Sequence, residues 1–225
     1  MTYIKVENVS KMYKVEKKKI YAVRNVSLNI DQGEFIILFG PSGSGKTTLL
    51  MLLGAIIKPT KGRILYDRVD ITKFSEDEAA MWRHKNVGFI FQKINLVEFL
   101  NVLENVMLPM YPYAKDFKKI EHKALELIEK VGLMHRLKHK PAQLSVGEQQ
   151  RVAIARALIN NPKIVFADEP TSHLDTETGR NVIKLMKELR DTYNVTFIVS
   201  THDPEMTVIA DRIVKIRDGK IVKES

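Results

Sequence analysis

The chain reads Gly40-Pro41-Ser42-Gly43-Ser44-Gly45-Lys46-Thr47-Thr48 between an apolar run that ends at Phe39 and a leucine-rich run that begins at Leu49. The first eight of these residues fit G-x-x-x-x-G-K-[ST], the pattern of a phosphate-binding loop between a strand and a helix. Glycines let backbone N–H groups turn towards phosphate oxygens, and the N-terminus of the following helix adds partial positive charge. In this pattern Lys46 reaches the β- and γ-phosphates and Thr47 places its hydroxyl on Mg²⁺. The segment therefore predicts a site for a nucleoside triphosphate with Mg²⁺, in preference to a glycine-rich structural turn.

Other short apolar runs resemble the run before this loop. Residues 34–39, 87–91, 163–167 and 195–200 are nearly continuous in β-branched, aromatic or other apolar residues. Such runs are typical of strands that are buried on both faces of a parallel sheet. Helical patterns lie between them, including a capping box formed by Ser75 and Glu78. The alternation predicts an α/β fold in which a P-loop NTPase core has a mostly parallel sheet.

The two ends and the middle of the chain depart from this alternation. Residues 4–6, 22–30 and 62–66 predict short antiparallel strands, and 212–217 with 220–222 predict a hairpin that turns at Asp218-Gly219. Residues from about 93 to 160 are poor in strand patterns and rich in helical ones. We therefore expect a single domain over residues 1–225, with an N-terminal antiparallel β subdomain and an α-helical subdomain inserted at about 93–160.

A pair of carboxylates, Asp168-Glu169, follows the third apolar run. Ligands of open α/β sheets bind at the carboxyl ends of the strands, where this pair is expected. Asp168 suits the role of a Mg²⁺ ligand, and Glu169 suits that of the group that accepts a proton from an attacking water. Alone, such a pair could be a solvated loop entry, but the upstream P-loop favours a catalytic site.

Composition excludes several other classes of site. The chain has 225 residues and no cysteine, so disulfides, thiolate nucleophiles and Cys-ligated zinc are excluded. Its N-terminus lacks a signal-peptide pattern, and no uncharged apolar run approaches the ~18 residues that span a bilayer. A net charge of +9 suits nucleic acid, an anionic membrane surface or a phosphate-bearing ligand, but it also fits a lysine-rich solvated surface. We expect a chain that stays in the cytosol or lies on a membrane without entering it.

The segment Ser145-Val146-Gly147-Glu148 and the residues around it resemble the signature motif of ATP-binding cassette (ABC) ATPases, usually Leu-Ser-Gly-Gly-Gln. Four further residues stand where that family has its other motifs: an aromatic upstream of the P-loop, the Q-loop glutamine, the D-loop aspartate and the H-loop histidine, here Tyr13, Gln92, Asp175 and His202. Each of these residues taken alone is more often a surface or packing residue. The match in register from about residue 3 to 223 is what carries the resemblance.

The resemblance implies a mechanism in which two copies associate head to tail around two MgATP. In each site Lys46 would help to arrange the phosphates. The groups on the metal side would be Thr47, Gln92 and Asp168, which would arrange Mg²⁺. Glu169 would polarise the attacking water, and His202 would contact the γ-phosphate and support Glu169. The partner copy would supply its signature segment to the γ-phosphate. As catalytic residues we expect Glu169, His202 and Lys46.

The resemblance also implies what ATP drives. The region around Gln92, residues 88–109, is where family members grip a coupling helix of a membrane subunit, and it resembles the lipoprotein-release and macrolide-export subgroup. We expect a separate transmembrane permease partner, a location on the cytoplasmic face of the cell membrane, and no nucleic-acid partner. The alternative is a soluble ABC ATPase that acts on nucleic acid or ribosomes. A small-molecule kinase would leave the signature and the acidic pair unexplained.

Two residues depart from the family's signature. Val146 replaces the first glycine, and its β-branched side chain restricts the backbone beside the phosphate. Glu148 replaces glutamine and would bring negative charge near a triphosphate unless it turns towards its own backbone. Ser145 and Glu148 also form a capping-box pattern, which is compatible with a phosphate site because both use a helix N-terminus. We therefore expect weaker ATP-driven dimer closure than with the usual motif.

Overall fold

The computed structural model describes residues 2–16 and 18–225. The strands within those ranges are β1 (Thr2–Val15), β2 (Lys18–Asp31), β3 (Phe35–Phe39), β4 (Lys61–Tyr66), β5 (Val69–Asp70), β6 (Val87–Ile90), β7 (Ile164–Asp168), β8 (Thr196–Thr201), β9 (Arg212–Arg217) and β10 (Lys220–Glu224). The α-helices are α1 (Lys46–Leu53), α2 (Glu76–Asn86), α3 (Val102–Met107), α4 (Phe117–Lys130), α5 (Val146–Leu158) and α6 (Thr176–Tyr193). Short 3₁₀ helices complete the chain, among them Pro204–Ile209.

The central sheet has six strands in the order β10-β9-β3-β8-β7-β6. Neighbouring strands from β9 to β6 run parallel, and β10 pairs antiparallel with β9. Residues of β3 alternate between two cores, since Phe35 and Ile37 pack on one face and Ile36 and Leu38 on the other. This two-sided burial explains the continuous apolar runs and confirms the predicted α/β fold with a mostly parallel sheet.

The N-terminal third forms a second sheet, with strands in the antiparallel order β2-β1-β4-β5. The antiparallel expectation is confirmed, but β1 and β2 are much longer than the sequence pattern predicted. Irregular register between them interrupts the apolar alternation, which hid their length. A core cluster between the two sheets includes the buried side of α1, so this sheet packs over the helix that follows the P-loop.

Between β6 and β7 the described chain is helical or irregular. Helix α4 buries Ile120, Ala124, Leu127 and Ile128 against the core formed with α3, α5 and α6. The division of the chain into one domain with an inserted subdomain at about 93–160 stays a prediction. None of the helices in residues 2–16 and 18–225 is both long and apolar enough to cross a membrane.

Strand register sets the position of the candidate site. Ile90 pairs with Ala167, Asp168 with Ser200, and Phe39 with Thr201. The segments that follow these strands therefore leave the sheet at one edge, which is the carboxyl edge where ligands of such sheets bind.

Candidate functional site

The P-loop is a tight turn that depends on its glycines for backbone conformation and, at Gly40 and Gly45, for space. Gly43 and Gly45 have φ of 77° and 102°, which L-residues rarely adopt. A Cβ on Gly45 would lie 2.1 Å from the carbonyl oxygen of Ala22 in β2. The turn of the C-terminal hairpin also contacts the loop, because Gly219 N–H donates to the Ser44 carbonyl at 2.9 Å. The loop is thus clamped between β2 and the β9–β10 hairpin and directs the N-terminus of α1 to the edge of the sheet.

The cation and the hydroxyl of the P-loop are buried inside it. The Lys46 side chain is 5% exposed, and its Nζ donates to the carbonyl oxygens of Gly40 at 2.7 Å and Pro41 at 3.1 Å. The Ser44 hydroxyl is buried and has no hydrogen-bond partner in the described part of the chain. An ammonium, an unpartnered hydroxyl and the backbone N–H groups of the turn are the donors that a phosphate group requires, so the residues present fit one.

Oxygen ligands for a metal ion lie directly beside the loop. Thr47 Oγ1 donates to Asp168 Oδ1 at 3.0 Å, and the Ser200 hydroxyl donates to the same carboxylate oxygen. Gln92 is exposed and leaves the sheet two residues after Ile90, at the same edge. Hydroxyl, carboxylate and amide oxygens suit Mg²⁺. Mg²⁺ usually binds through one or two carboxylates plus substrate phosphates and keeps several waters, and the residues at this edge fit that pattern.

Glu169 contacts the Lys46 ammonium group and the His202 ring at this edge of the sheet. Its backbone has φ of 46°, and its N–H donates to the Ser200 carbonyl at 3.0 Å, so a strained turn directs the side chain back over the sheet. Oε1 lies 3.3 Å from Lys46 Nζ, and Oε2 lies 2.9 Å from His202 Nδ1. Since an ionised carboxylate only accepts hydrogen bonds, Nδ1 carries the proton of this contact. The carboxylate is 12% exposed, which leaves it accessible to a water molecule while its position is held.

Tyr13 lies near the loop but not in it. Its ring is 41% exposed, and Lys11 Nζ is 5.4 Å from the ring centroid. Tyr13 pairs with Ile20 in β2, two residues before Ala22, which contacts Gly45. The ring therefore belongs to the strand pair that contacts the P-loop, and its role beside an adenine base stays a prediction.

The signature segment begins α5. Ser145 and Glu148 form the predicted capping box: Glu148 N–H donates to Ser145 Oγ at 3.2 Å, and Ser145 N–H donates to Glu148 Oε2 at 2.8 Å. Glu148 Oε1 also accepts from Arg136 Nε at 3.0 Å. The Ser145 N–H bond, together with Arg136, lowers the pKa of the Glu148 carboxyl. Glu148 is thus turned towards its own backbone, the one arrangement under which its charge was expected not to oppose phosphate.

The other signature residues contact α6 or solvent. Val146 is 44% exposed, whereas a Cβ on Gly147 would lie 2.5 Å from Thr178 Cγ2. Asp175 caps α6 by accepting from Thr178 N–H at 3.0 Å, and hydrogen bonds from Thr178 lower the pKa of this carboxyl. Among the described residues, no recorded hydrogen bond or ion pair joins the signature segment to the P-loop. One chain therefore brings the P-loop and the strand ends together, but it does not bring its own signature segment into contact with them.

Some contributors could not be found from sequence motifs. Ser200 holds both Asp168 and Glu169, and its only signal is a polar side chain at the end of an apolar run. Gly219 was predicted as a turn residue, not as a support of the P-loop. Arg136 lies in a short 3₁₀ helix with no periodic pattern, so nothing in the sequence indicated its bond to Glu148.

Comparison with known proteins gives consistent matches. The family model described as ABC transporter matches residues 23–172. An uncharacterised ABC transporter ATP-binding protein of Methanocaldococcus jannaschii is 47% identical over 98% of this chain and 98% of its own. The lipoprotein-releasing system ATP-binding protein LolD of Wigglesworthia glossinidia brevipalpis is 42% identical over 100% of this chain and 98% of its own. The macrolide export ATP-binding/permease protein MacB of Syntrophobacter fumaroxidans is 42% identical over 100% of this chain but only 32% of its own.

A solved structure agrees with the fold. It is the dimeric post-hydrolysis state of an ATP-binding cassette bound to ADP and Pi, from Methanocaldococcus jannaschii. It superposes with a TM-score of 0.91 at 42% sequence identity, over 99% of this chain and 97% of the other.

Proposed function

The chain belongs to the ABC transporter family, and on that premise we propose that it is the ATP-hydrolysing subunit of a transporter of the lipoprotein-release or macrolide-export type. It binds MgATP, pairs with a second copy and drives a separate membrane permease from the cytoplasmic face of the membrane. The observation that carries the catalytic part is that Lys46 and His202 both contact Glu169, while Thr47 contacts the adjacent Asp168, at one edge of the sheet.

Each group at that edge has a definite task in phosphoryl transfer. The P-loop amides, the Ser44 hydroxyl and Lys46 bind the phosphates, while Thr47 and Asp168 hold Mg²⁺, which neutralises phosphate charge when bound. Glu169 accepts the proton of the attacking water. His202 fixes the Glu169 carboxylate through Nδ1, and we expect its Nε2 to contact the γ-phosphate. Because phosphoryl transfer needs mainly positioning and charge stabilisation, these rigid strand ends suffice.

The second copy supplies the group that one chain lacks. The N-terminus of α5 offers backbone N–H groups to an anion, yet no recorded contact brings it to its own P-loop within the described ranges. A head-to-tail pair would place this helix end against the γ-phosphate of the other copy, so each site would be completed by its partner. The solved structure with ADP and Pi is described as dimeric, which supports the pairing of two copies.

The Glu169→Gln variant tests the catalytic assignment. It keeps the shape of the side chain but cannot accept a proton, so hydrolysis should fall at least about 100-fold. In the presence of MgATP, a dimer of this variant should then accumulate. It should elute earlier from gel filtration than the nucleotide-free protein. Glu188→Gln, at an exposed position far along α6, is the matched control. Near-normal turnover in Glu169→Gln would refute the role of this carboxylate.

A groove beside the Q-loop is the proposed docking surface for the permease. A cavity of about 470 Å³ is lined by Phe89, Phe91 and Pro109, with Arg83 and Arg156 beside them. Phe89 and Phe91 stack with ring centroids 5.4 Å apart, so an apolar floor lies next to Gln92. An apolar helix in this groove would sense movement of the Q-loop. The MacB relative joins ATP-binding and permease functions in its name, which supports a permease as the occupant of this groove.

Identification of the partner tests the transport part. The tagged protein is purified from its host in detergent after mild crosslinking, and Phe91→Ser serves as the groove variant. Recovery of a membrane protein with a large extracytoplasmic domain, reduced by Phe91→Ser, is expected. Recovery of ribosomes or DNA without a membrane protein would keep the ATPase and replace the transporter function by the nucleic-acid alternative.

A further inference from the structure

The segment that carries His202 begins as an exposed turn and packs against the core further along, at Met206 and Ile209. It leaves β8 after Thr201 and continues through the 3₁₀ helix Pro204–Ile209. The His202 side chain is 58% exposed, yet its Nδ1 must stay within hydrogen-bond reach of Glu169. A side chain this exposed is not held by packing, so the backbone segment must hold it.

Most bonds of this segment are local. Asp203 N–H donates to Thr201 Oγ1 at 3.0 Å, and Glu205 N–H donates to Asp203 Oδ1 at 2.9 Å. Met206 is fully buried, and its sulfur accepts from Thr171 Oγ1 at 3.3 Å. Met206 and Ile209 anchor the middle and the end of the segment in the core, while the His202 side chain at its start stays exposed.

One ion pair joins the exposed side of the turn to a rigid element. Arg180 Nε and Nη2 donate to Glu205 Oε2 and Oε1 at 3.0 and 3.1 Å, which is the two-bonded geometry that fixes orientation as well as distance. Arg180 stands near the start of α6, just before Val182 and Ile183, which are buried in the core. In the described part of the chain, this is the one recorded ion pair between residues 203–209 and another element.

We propose that Arg180 is a positioning residue for ATP hydrolysis: through Glu205 it fixes the turn that carries His202, and so keeps His202 Nδ1 on the Glu169 carboxylate. This rests on the proposed function for the roles of Glu169 and His202. Arg180 itself touches neither nucleotide nor water, so its effect passes entirely through the position of His202.

Turnover measurements with paired variants test the proposal. Arg180→Ala should lower kcat about two- to fivefold, the range that an exposed ion pair supports, while the affinity for ADP, which lacks the γ-phosphate, stays unchanged. Exchanging the charges in Arg180→Glu with Glu205→Arg should restore most of the lost rate. Lys184→Ala, one turn further along α6 and without a recorded ion pair, should leave kcat unchanged.

A double-mutant cycle separates positioning from general stability. In the His202→Ala background, Arg180→Ala should have no further effect on kcat, because the group it positions is gone. Equal fold losses in the two backgrounds would overturn the proposal.

Amide hydrogen exchange of nucleotide-free protein gives a readout that does not depend on turnover. Amides of residues 203–209 should exchange several-fold faster in Arg180→Ala than in the wild type or Lys184→Ala. Unchanged exchange there would overturn the proposal even if hydrolysis fell. If the wild type hydrolysed no ATP, the proposed function would fail while this exchange result would still decide whether Arg180 holds the turn.

Discussion

The P-loop edge of the parallel sheet and the N-terminus of α5 are both proposed to meet phosphate, but they are built in opposite ways. At the first, side chains from three segments lie together: Thr47 contacts Asp168, and Lys46 and His202 both contact Glu169. At the second, the side chains of Ser145 and Glu148 hydrogen-bond to the backbone of their own helix cap, and Arg136 forms an ion pair with Glu148. The first region therefore works through side-chain chemistry, and the second through backbone shape.

The strongest test of this difference is Lys46→Met. Met has similar length but no charge, so the variant removes the one ammonium recorded inside the loop. ATP binding should fall sharply and hydrolysis at least about 100-fold, as for loss of a preorganised charge at a phosphate. Binding of a fluorescent ATP analogue and phosphate release measure the two effects. ATP affinity within threefold of the wild type would show that the loop, like the signature, acts through its backbone.

Gly147→Ala makes the corresponding change in the second region. The added methyl group would meet Thr178 Cγ2 at 2.5 Å, and Thr178 is β-branched on a packed helix and cannot move freely. Overpacking of this kind costs about 1–3 kcal/mol, here as a displaced helix end. We expect monomer ATP binding to persist while ATP-driven dimerisation weakens about tenfold or more.

A second change, Thr178→Ser, tests whether the clash with Thr178 causes the weaker dimerisation. It removes the obstructing methyl group, so Gly147→Ala with Thr178→Ser should regain much of the dimerisation measured in the Glu169→Gln background. Loss of ATP binding by the monomer would mean instead that the two regions are linked within one chain.

Ser200→Ala tests a support of the first region that no motif indicates. The hydroxyl donates to the Asp168 carboxylate and accepts from the Glu169 backbone N–H at 3.2 Å, so its loss removes one partner from each residue. We expect about tenfold weaker Mg²⁺ activation of hydrolysis, as for other groups that orient metal ligands. Titration of turnover with Mg²⁺ measures it, and Thr196→Ala, a buried residue at the other end of β8, is the control.

The contrast also explains what the sequence could predict. Parallel strands end at a common edge, so apolar runs followed by Thr47, Asp168 and His202 predict their proximity without knowledge of contacts. The capping box at Ser145 was also predicted, because it is local: both of its residues lie within one turn of the chain. Contacts between elements that share no period, such as Glu148 with Arg136 or Gly219 with Ser44, depend on how loops pack, which the patterns do not encode. The lengths of β1 and β2 were missed because bulges break their alternation.

Val146→Gly is expected to have a smaller effect, and in the opposite direction. Val146 is exposed at the first turn of α5, where its branched side chain would stand beside a partner's phosphate. Removing it should strengthen ATP-driven dimerisation a few-fold, since helix stability lost to glycine, about 1 kcal/mol, offsets part of the gain. Sedimentation of the Glu169→Gln form with and without this change measures the difference. An unchanged or weaker dimer would show that the departure from the usual motif is harmless.

Glu148→Gln should have the smallest effect, because the structure has already removed the conflict that the sequence suggested. The carboxylate is bonded to Ser145 N–H and Arg136, so its charge is compensated and ATP-driven dimerisation should change less than twofold. Stability is the sharper readout. These contacts hold the Glu148 pKa below its ordinary value, so their contribution is full above about pH 4.3 and is lost as pH falls through the folded-state pKa. In urea unfolding at pH 7, the free energy of unfolding of the wild type should exceed that of the variant by about 0.5–1 kcal/mol. This difference should disappear in acid. If the difference in stability persisted at low pH, the shape of the Glu148 side chain and not its charge would stabilise this helix end. Even the charged residue of the signature segment would then act without its charge.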